Sequence, residues 1–522
     1  MAYPTASGIR TALEALATAY PFCTVMTLAP SLNGVPITAL KVSKVTEGKR
    51  AKVLFTGGMH ANELAPPRAV LSCIKLLLDS YKVPGTGITY NAFSLTGADV
   101  KAIVEHIDIY VAPMVNPDGY ALALTLPADE LAGRKNASPT ATCALPNRAG
   151  VNLNRNFDIV WDFQTCYAPV NDVATSSDPC DPNYSGVTPG PLIGAPFSEP
   201  EAANVKTLLD EGIEYYIDCH MYGPTILYSW GIEENQTTDP AMSFTNPAFD
   251  GARNGVTTPP PVPLIDYMEY IPAAELTEVA AIANHMSKAI KSGTDIAGRG
   301  VNPYATYTPQ PGALFYPCSG SADDYAFSRH IKDPSLPFVR AFTLECGNPG
   351  TTFRPTEAQF VFIEREVHCA LLSLLKYVAT WIAKSSAPPP PPPPPSNSGC
   401  GCPTLMLLGA AHPVFETLRH LLDVSFRETA PGRVLVSVLR RLNERTAPAI
   451  TGWLARHDTV RRVLAKYVAE PVLTALSRGA LLALRLPSPS LRVTALVVNA
   501  LFFLTAWPVL VLAALWAGVR HG

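Results

Sequence analysis

Val53-Leu54-Phe55-Thr56-Gly57-Gly58-Met59-His60-Ala61-Asn62-Glu63 is the stretch on which the reading of this chain turns. Its apolar start reads as a buried strand stopped by two glycines, and residues 64–78 beyond it read as an amphipathic helix. An imidazole and a carboxylate three residues apart at a strand-to-helix corner can aim at one point, as two ligands of a zinc ion must. His220 closes a second apolar run, Tyr215-Tyr216-Ile217-Asp218-Cys219-His220, and is placed to be the third ligand. Two histidines, a glutamate and an open fourth position describe a catalytic rather than a structural metal site. Alone, His-x-x-Glu is a common chance pairing, so its surroundings decide.

At 522 residues the chain exceeds one ordinary domain, and its 48% hydrophobic content is ample for a core. The formal net charge of −3 points to no nucleic-acid partner, yet it hides an asymmetry. Residues 396–522 hold 14 Lys and Arg against 6 Asp and Glu, a balance of +8, whereas the rest holds 26 against 37, or −11. Two parts with different surroundings are expected. The first residues lack a basic cluster followed by an apolar core, so no signal peptide is expected. Eleven cysteines are scattered without metal-finger spacing, and their odd number leaves at least one free thiol in a monomer.

The sharpest boundary is Pro388 to Pro395, eight consecutive prolines, which form a stiff solvated spacer rather than core. Before it, strand-like and helix-like segments alternate. Helices are expected over 8–20, 199–211, 273–291 and 356–383, and strands over 36–42, 52–55, 107–111 and 338–344. That alternation predicts an α/β domain with a mixed, largely buried sheet. Long Pro- and Gly-rich loops over 126–200 and 237–264 can build a pocket rim. Four regions are expected: a globular unit over 3–384, a Pro-rich linker over 385–402, a basic helical region over 403–490 and a transmembrane helix over 491–519. Val493 to Val519 runs 27 residues without a charge, more than the roughly 20 needed to span a bilayer. Pro508 is tolerable within such a span, although a buried hairpin broken at Pro508 is the competing reading. The basic helices before it suit an anionic membrane surface.

Five motifs in order give the globular part a family likeness: Gly57-Gly58-Met59-His60-Ala61-Asn62-Glu63, Val115-Asn116-Pro117-Asp118-Gly119-Tyr120, Asn152-Leu153-Asn154-Arg155-Asn156-Phe157, Asp218-Cys219-His220 and Thr343-Leu344-Glu345. Residues 3–384 resemble the zinc carboxypeptidases of the carboxypeptidase A/B type. The resemblance implies a mixed, mostly parallel twisted sheet sandwiched by helices, without room for the propeptide of digestive members. It implies one zinc ion held by His60, Glu63 and His220, with Glu345 as the general base. By the same likeness Asn154 and Arg155 clamp a terminal carboxylate, Arg134 steadies the oxyanion and Tyr316 folds over bound substrate. A guanidinium fork suits the first of these tasks because it matches a carboxylate bidentately.

Specificity is implied by Leu314-Phe315-Tyr316-Pro317-Cys318-Ser319-Gly320-Ser321-Ala322-Asp323-Asp324-Tyr325. Asp323 falls where basic-specific members carry an aspartate at the pocket base, which favours C-terminal Lys or Arg; one of the two aspartates could instead cap a helix at Tyr325. Cys143 and Cys180 resemble the family's disulfide, with Cys166 between them as a competitor. Three positions depart from the pattern: Asn62 replaces an arginine of the carboxylate subsite, Asn152 replaces an aspartate behind a zinc histidine, and Met221 replaces a serine. The likeness thus implies a metallocarboxypeptidase acting on peptide C-termini, while the uncharged run of the tail predicts membrane association there, in a bacterial envelope or secreted. A zinc amidohydrolase of cell-wall peptides and an inactive peptide-binding homologue are the other readings. Retention of Asn154-Arg155 opposes the first, and retention of the zinc ligands and Glu345 opposes the second.

Overall fold

Four strands buried along most of their length, β3 (Ala51–Gly57), β6 (Ile107–Ala112), β7 (Tyr215–Met221) and β12 (Arg340–Cys346), run parallel through the middle of the sheet. Their continuous apolar sequences are what a strand covered on both faces requires. This computed structural model describes residues 3–44, 50–126, 129–139, 143–145, 148–168, 173–187, 194–253, 267–294, 306–347 and 352–386. The expected linker (385–402), basic helices (403–490) and membrane span (491–519) lie, but for residues 385 and 386, outside them.

The chain opens with helix α1 (Ala6–Ala19) and strands β1 (Cys23–Thr27) and β2 (Thr38–Val42), which add antiparallel to β6. After β3 come helix α2 (Ala65–Lys82), a small hairpin of β4 (Ile88–Tyr90) and β5 (Phe93–Leu95), and helix α3 (Gly97–His106). Helices α4 (Pro117–Thr125), α5 (Phe163–Cys166) and α6 (Pro200–Leu209) separate β6 from β7. Beyond β7 lie β8 (Thr225–Tyr228), a short pair of β9 (Gln236–Thr237) and β10 (Glu269–Tyr270), and helix α7 (Ala273–Thr294). The unit ends with β11 (Thr308–Pro311), helix α8 (Ala322–Lys332), β12 and helix α9 (Glu357–Ser386). The eight-stranded order is β1-β2-β6-β3-β7-β12-β8-β11, a mixed sheet flanked by helices. β11 carries two prolines and sits at the sheet edge, the position where a missing N–H donor is harmless.

Helices α2, α3 and α7 pack on α9, which is the one helix among the described residues long and apolar enough to cross a membrane (Glu357–Ala383). Its most apolar window is 72% buried within the fold, so its hydrophobicity serves the core.

The register does the positioning. Gly57 pairs with Cys219, and Cys219 with Leu344, so β3, β7 and β12 finish at one level. One residue on, His220 pairs with Glu345, and side chains paired on neighbouring strands share a face. Gly58 turns the chain out of β3 at φ +70°, and a Cβ there would lie 3.0 Å from the Pro67 ring. Glycine therefore permits both the turn and the close approach of α2, whose first turn is proline-led.

Candidate active site

His60 and Glu63 occupy the turn between β3 and α2, and His220 the last turn of pleat in β7; all three are buried. One ligand atom from each lies within 4.8 Å of the others. His60 Nδ1 is 2.9 Å from Glu63 Oε1, and His220 Nδ1 is 3.1 Å from Glu63 Oε2. The two rings stand 4.7 Å apart at 68°. Their other nitrogens are engaged elsewhere: His60 Nε2 with Asn152 Oδ1 at 2.9 Å, His220 Nε2 with Asp218 Oδ2 at 2.7 Å. With a proton fixed on each Nε2, the two Nδ1 atoms and the carboxylate are three lone-pair donors converging in a buried space. A cation satisfies that arrangement, and two imidazoles with a carboxylate are a zinc donor set.

The charges agree. Burial and then the Arg134 guanidinium hold His60 down at about 3, so it stays neutral and ready to ligate. Burial alone would raise Glu63, but the charges of His60 and His220, with their hydrogen bonds, outweigh it and leave the carboxyl at about 2. His220 is pushed above its ordinary value because Asp218 and Glu63 outweigh its burial. Ligation uses the neutral imidazole, so metal affinity falls with acidity.

Glu345 sits beside this trio at the end of β12. Burial, then the charge of Glu63, push its carboxyl up to about 8, against the opposing pull of His220 and Arg134. Arg134 reaches the same point from a loop, with Nη1 3.3 Å from His60 Nδ1 and 3.7 Å from Glu63 Oε1, and Nη2 3.3 Å from Asn183 Oδ1.

The second cluster is built on loops. Asn152 caps the short turn Leu153–Arg155, its Oδ1 accepting the Asn154 N–H at 3.0 Å as well as facing His60. Asn154 Oδ1 accepts from Ala322 N at 2.8 Å, leaving its amide NH2 to donate. Arg155 is buried; its Nε donates to Ala174 O at 2.8 Å and Nη1 to its neighbour's carbonyl at 2.6 Å, while Nη2 has no partner. A buried cation with an unpaired N–H is built for an anion. The Tyr316 ring centre lies 5.7 Å from this guanidinium and is 37% exposed. Gly320 (φ +70°) locks the two segments together: a Cβ there would come within 2.5 Å of Arg155 O.

Asp323 is buried in the first turn of α8. The helix cap expected from one of the aspartates is not made; Ser321 holds the cap position and the helix starts at Ala322. Asp324 instead turns inward and accepts from Gly231 N at 2.7 Å, with burial and the Asp323 charge pushing its carboxyl up. Cys143 and Cys180 are bonded, closing a 37-residue separation, and Cys166 is a free thiol. Asn62 is buried and donates to Glu130 O at 2.8 Å.

A sequence profile described as zinc carboxypeptidase matches residues 9–368. The chain belongs to the zinc carboxypeptidase family. Among curated relatives, a carboxypeptidase B of Helicoverpa zea is 31% identical over 226 residues, 42% of this chain and 44% of that protein. A carboxypeptidase B of Astacus astacus is 29% identical over 231 residues, 44% of this chain and 64% of its own length. The chain therefore matches between roughly two fifths and two thirds of these relatives. Bovine thrombin-activatable fibrinolysis inhibitor, solved with a tick carboxypeptidase inhibitor, shares the fold at a TM-score of 0.50 and 21% identity, over 74% of this chain and 98% of that one. Carboxypeptidase A of Helicoverpa armigera shares it at 0.50 and 20% identity, over 73% and 74%. Zinc is the family's metal, and His60, Glu63 and His220 are a set that could bind it here.

Sequence reasoning named Asp218 only as part of a motif and gave Asn183 and Gly320 no role. The first was findable: two residues before His220 on a strand, it must share that histidine's face.

Proposed function

We propose that this chain is a zinc-dependent carboxypeptidase that releases the last residue from peptides with a free C-terminus. The observation that carries the reading is the unpaired, buried Nη2 of Arg155, held through Asn152 to the same frame as the His60–Glu63–His220 trio. An anion site tied so closely to a metal site suits a substrate whose carboxylate carbon lies two bonds from the nitrogen of the bond broken.

In this reading His60, Glu63 and His220 hold the metal, which when bound supplies Lewis acidity toward a carbonyl and water. With the charge of a bound metal favouring its ionised form, Glu345 takes the attacking water's proton and returns it to the departing amine. Arg134 donates to the carbonyl oxygen as negative charge grows there, in a site whose burial strengthens the interaction. Arg155 Nη2 and the Asn154 amide bind the terminal carboxylate, and Tyr316 closes over it. Asp323 favours a C-terminal Lys or Arg through charge pairing. The apolar run over 493–519 supports tethering to a membrane, with residues 388–395 as a spacer.

Peptides ending in Lys, Arg, Leu or Glu, each free or amidated, test this directly. Rapid release from free termini and none from amidated ones is expected, with Lys and Arg preferred. Hydrolysis of amidated peptides overturns the exopeptidase assignment; equal rates for Leu and Lys overturn only the role of Asp323.

A further inference from the structure

The two ligand imidazoles are backed by chemically different groups. Behind His60 stands Asn152, a neutral amide whose oxygen is shared with the Asn154 N–H. Behind His220 stands Asp218, a carboxylate with no exposed surface, 2.7 Å from Nε2. Its second oxygen accepts from Thr56 Oγ1 at 2.6 Å, and Thr56 is in turn 3.0 Å from the Tyr216 hydroxyl. Strand register builds this support, since Thr56 of β3 pairs with Asp218 of β7. Asp218 therefore has both oxygens engaged and two rigid strands fixing its position.

A carboxylate on the far nitrogen makes an imidazole a stronger electron donor, whereas an amide fixes ring orientation and tautomer without adding charge. We propose that Asp218 is the positioning residue that sets how tightly this chain holds its metal, acting through His220, while Asn152 only orients His60. The inference rests on His60, Glu63 and His220 being the ligands.

The test is zinc competition between the full-length chain and a chromophoric chelator. Asp218→Asn, nearly isosteric, is expected to raise the zinc Kd by about 10- to 100-fold, and Asn152→Asp to lower it by roughly tenfold. In the cobalt(II)-loaded chain, Asp218→Asn also shifts the visible bands, a response that a purely architectural role would not give. A Kd within about twofold of native for Asp218→Asn overturns the proposal. If that variant does not fold, Asn152→Asp decides, and absence of tighter binding overturns it. His220→Ala is the control: unchanged zinc binding there refutes the ligand assignment itself, whereas lost binding beside an unaffected Asp218→Asn refutes only the role of Asp218.

Discussion

The two halves of the site are built by opposite means. The half around His60, Glu63, His220 and Glu345 stands on the ends of three parallel strands, where register dictates which side chains meet. The half around Asn154, Arg155, Tyr316 and Asp323 stands on loops and a helix start, and is held by specific ties: the Asn152 cap, the Asn154–Ala322 bond, the Gly320 contact and the Cys143–Cys180 bond. Strand ends give rigidity with one special residue, Gly58 at the turn out of β3. Loops need a tie for every degree of freedom, and the disulfide alone is worth about 3–4 kcal/mol by loop-closure entropy. The strand-built half suits chemistry, where position is critical, and the loop-built half suits recognition, where closure over substrate is wanted.

The sharpest way to break this division is Glu345→Gln. If the strand-end half carries the chemistry, kcat falls by about 10^3- to 10^4-fold while zinc content stays at one per chain and KM changes little. Steady-state kinetics with metal analysis checks this, and surviving turnover would move the general base elsewhere.

Arg155→Gln is the matching cut in the loop half. Removing a buried, charge-assisted contact costs about 3 kcal/mol, or roughly a hundredfold in kcat/KM for free-terminus peptides. Zinc affinity is expected to stay unchanged. Loss of zinc on this substitution would mean that the two halves are one cooperative unit, joined through the shared oxygen of Asn152.

The same division governs what the sequence disclosed. The strand runs around Val53, Tyr215 and Phe342 announce themselves by apolar continuity, and each ends at or shortly before a site residue, so the three metal ligands are legible from pattern and residue type, whereas the role of Glu345 comes from the family likeness. Short elements escaped. β8 is four residues long, and β11 reads Thr-Pro-Gln-Pro, which propensity rejects and only an edge position permits. The loop half was legible through family likeness alone, because no periodicity relates Arg155 to Gly320, 165 residues later. Asp324 shows the limit of local reading: a carboxylate in a helix's first turn suggests a cap, but tertiary burial turned it toward Gly231.

The smallest effects concern pH, and they separate the halves by direction. His368 of α9, between Ser72 Oγ and Tyr90 OH at 2.8 Å each, belongs to the helical layer that packs with α2, the helix leading out of His60 and Glu63. Burial lowers it to about 4 from an ordinary 6.5. The folded state keeps it neutral while the unfolded chain takes up a proton, so stability is lost as pH falls from 6.5 toward 4, by about 3 kcal/mol at most. Lys135 lies in the loop half, donating to Pro179 O and Asp181 O beside the disulfide, and burial lowers it to about 8 against the raising charges of Asp181 and Asp178. The unfolded chain keeps that proton up to the ordinary 10.5, so stability is gained as pH rises from 8 to 10.5. Denaturation midpoints across pH should therefore lose their acid-side slope in His368→Gln and their alkaline gain in Lys135→Met, with neither variant altering the other's limb. A single substitution that flattened both limbs would show the two regions unfolding as one electrostatic unit, and the separation drawn from their construction would not extend to their stability.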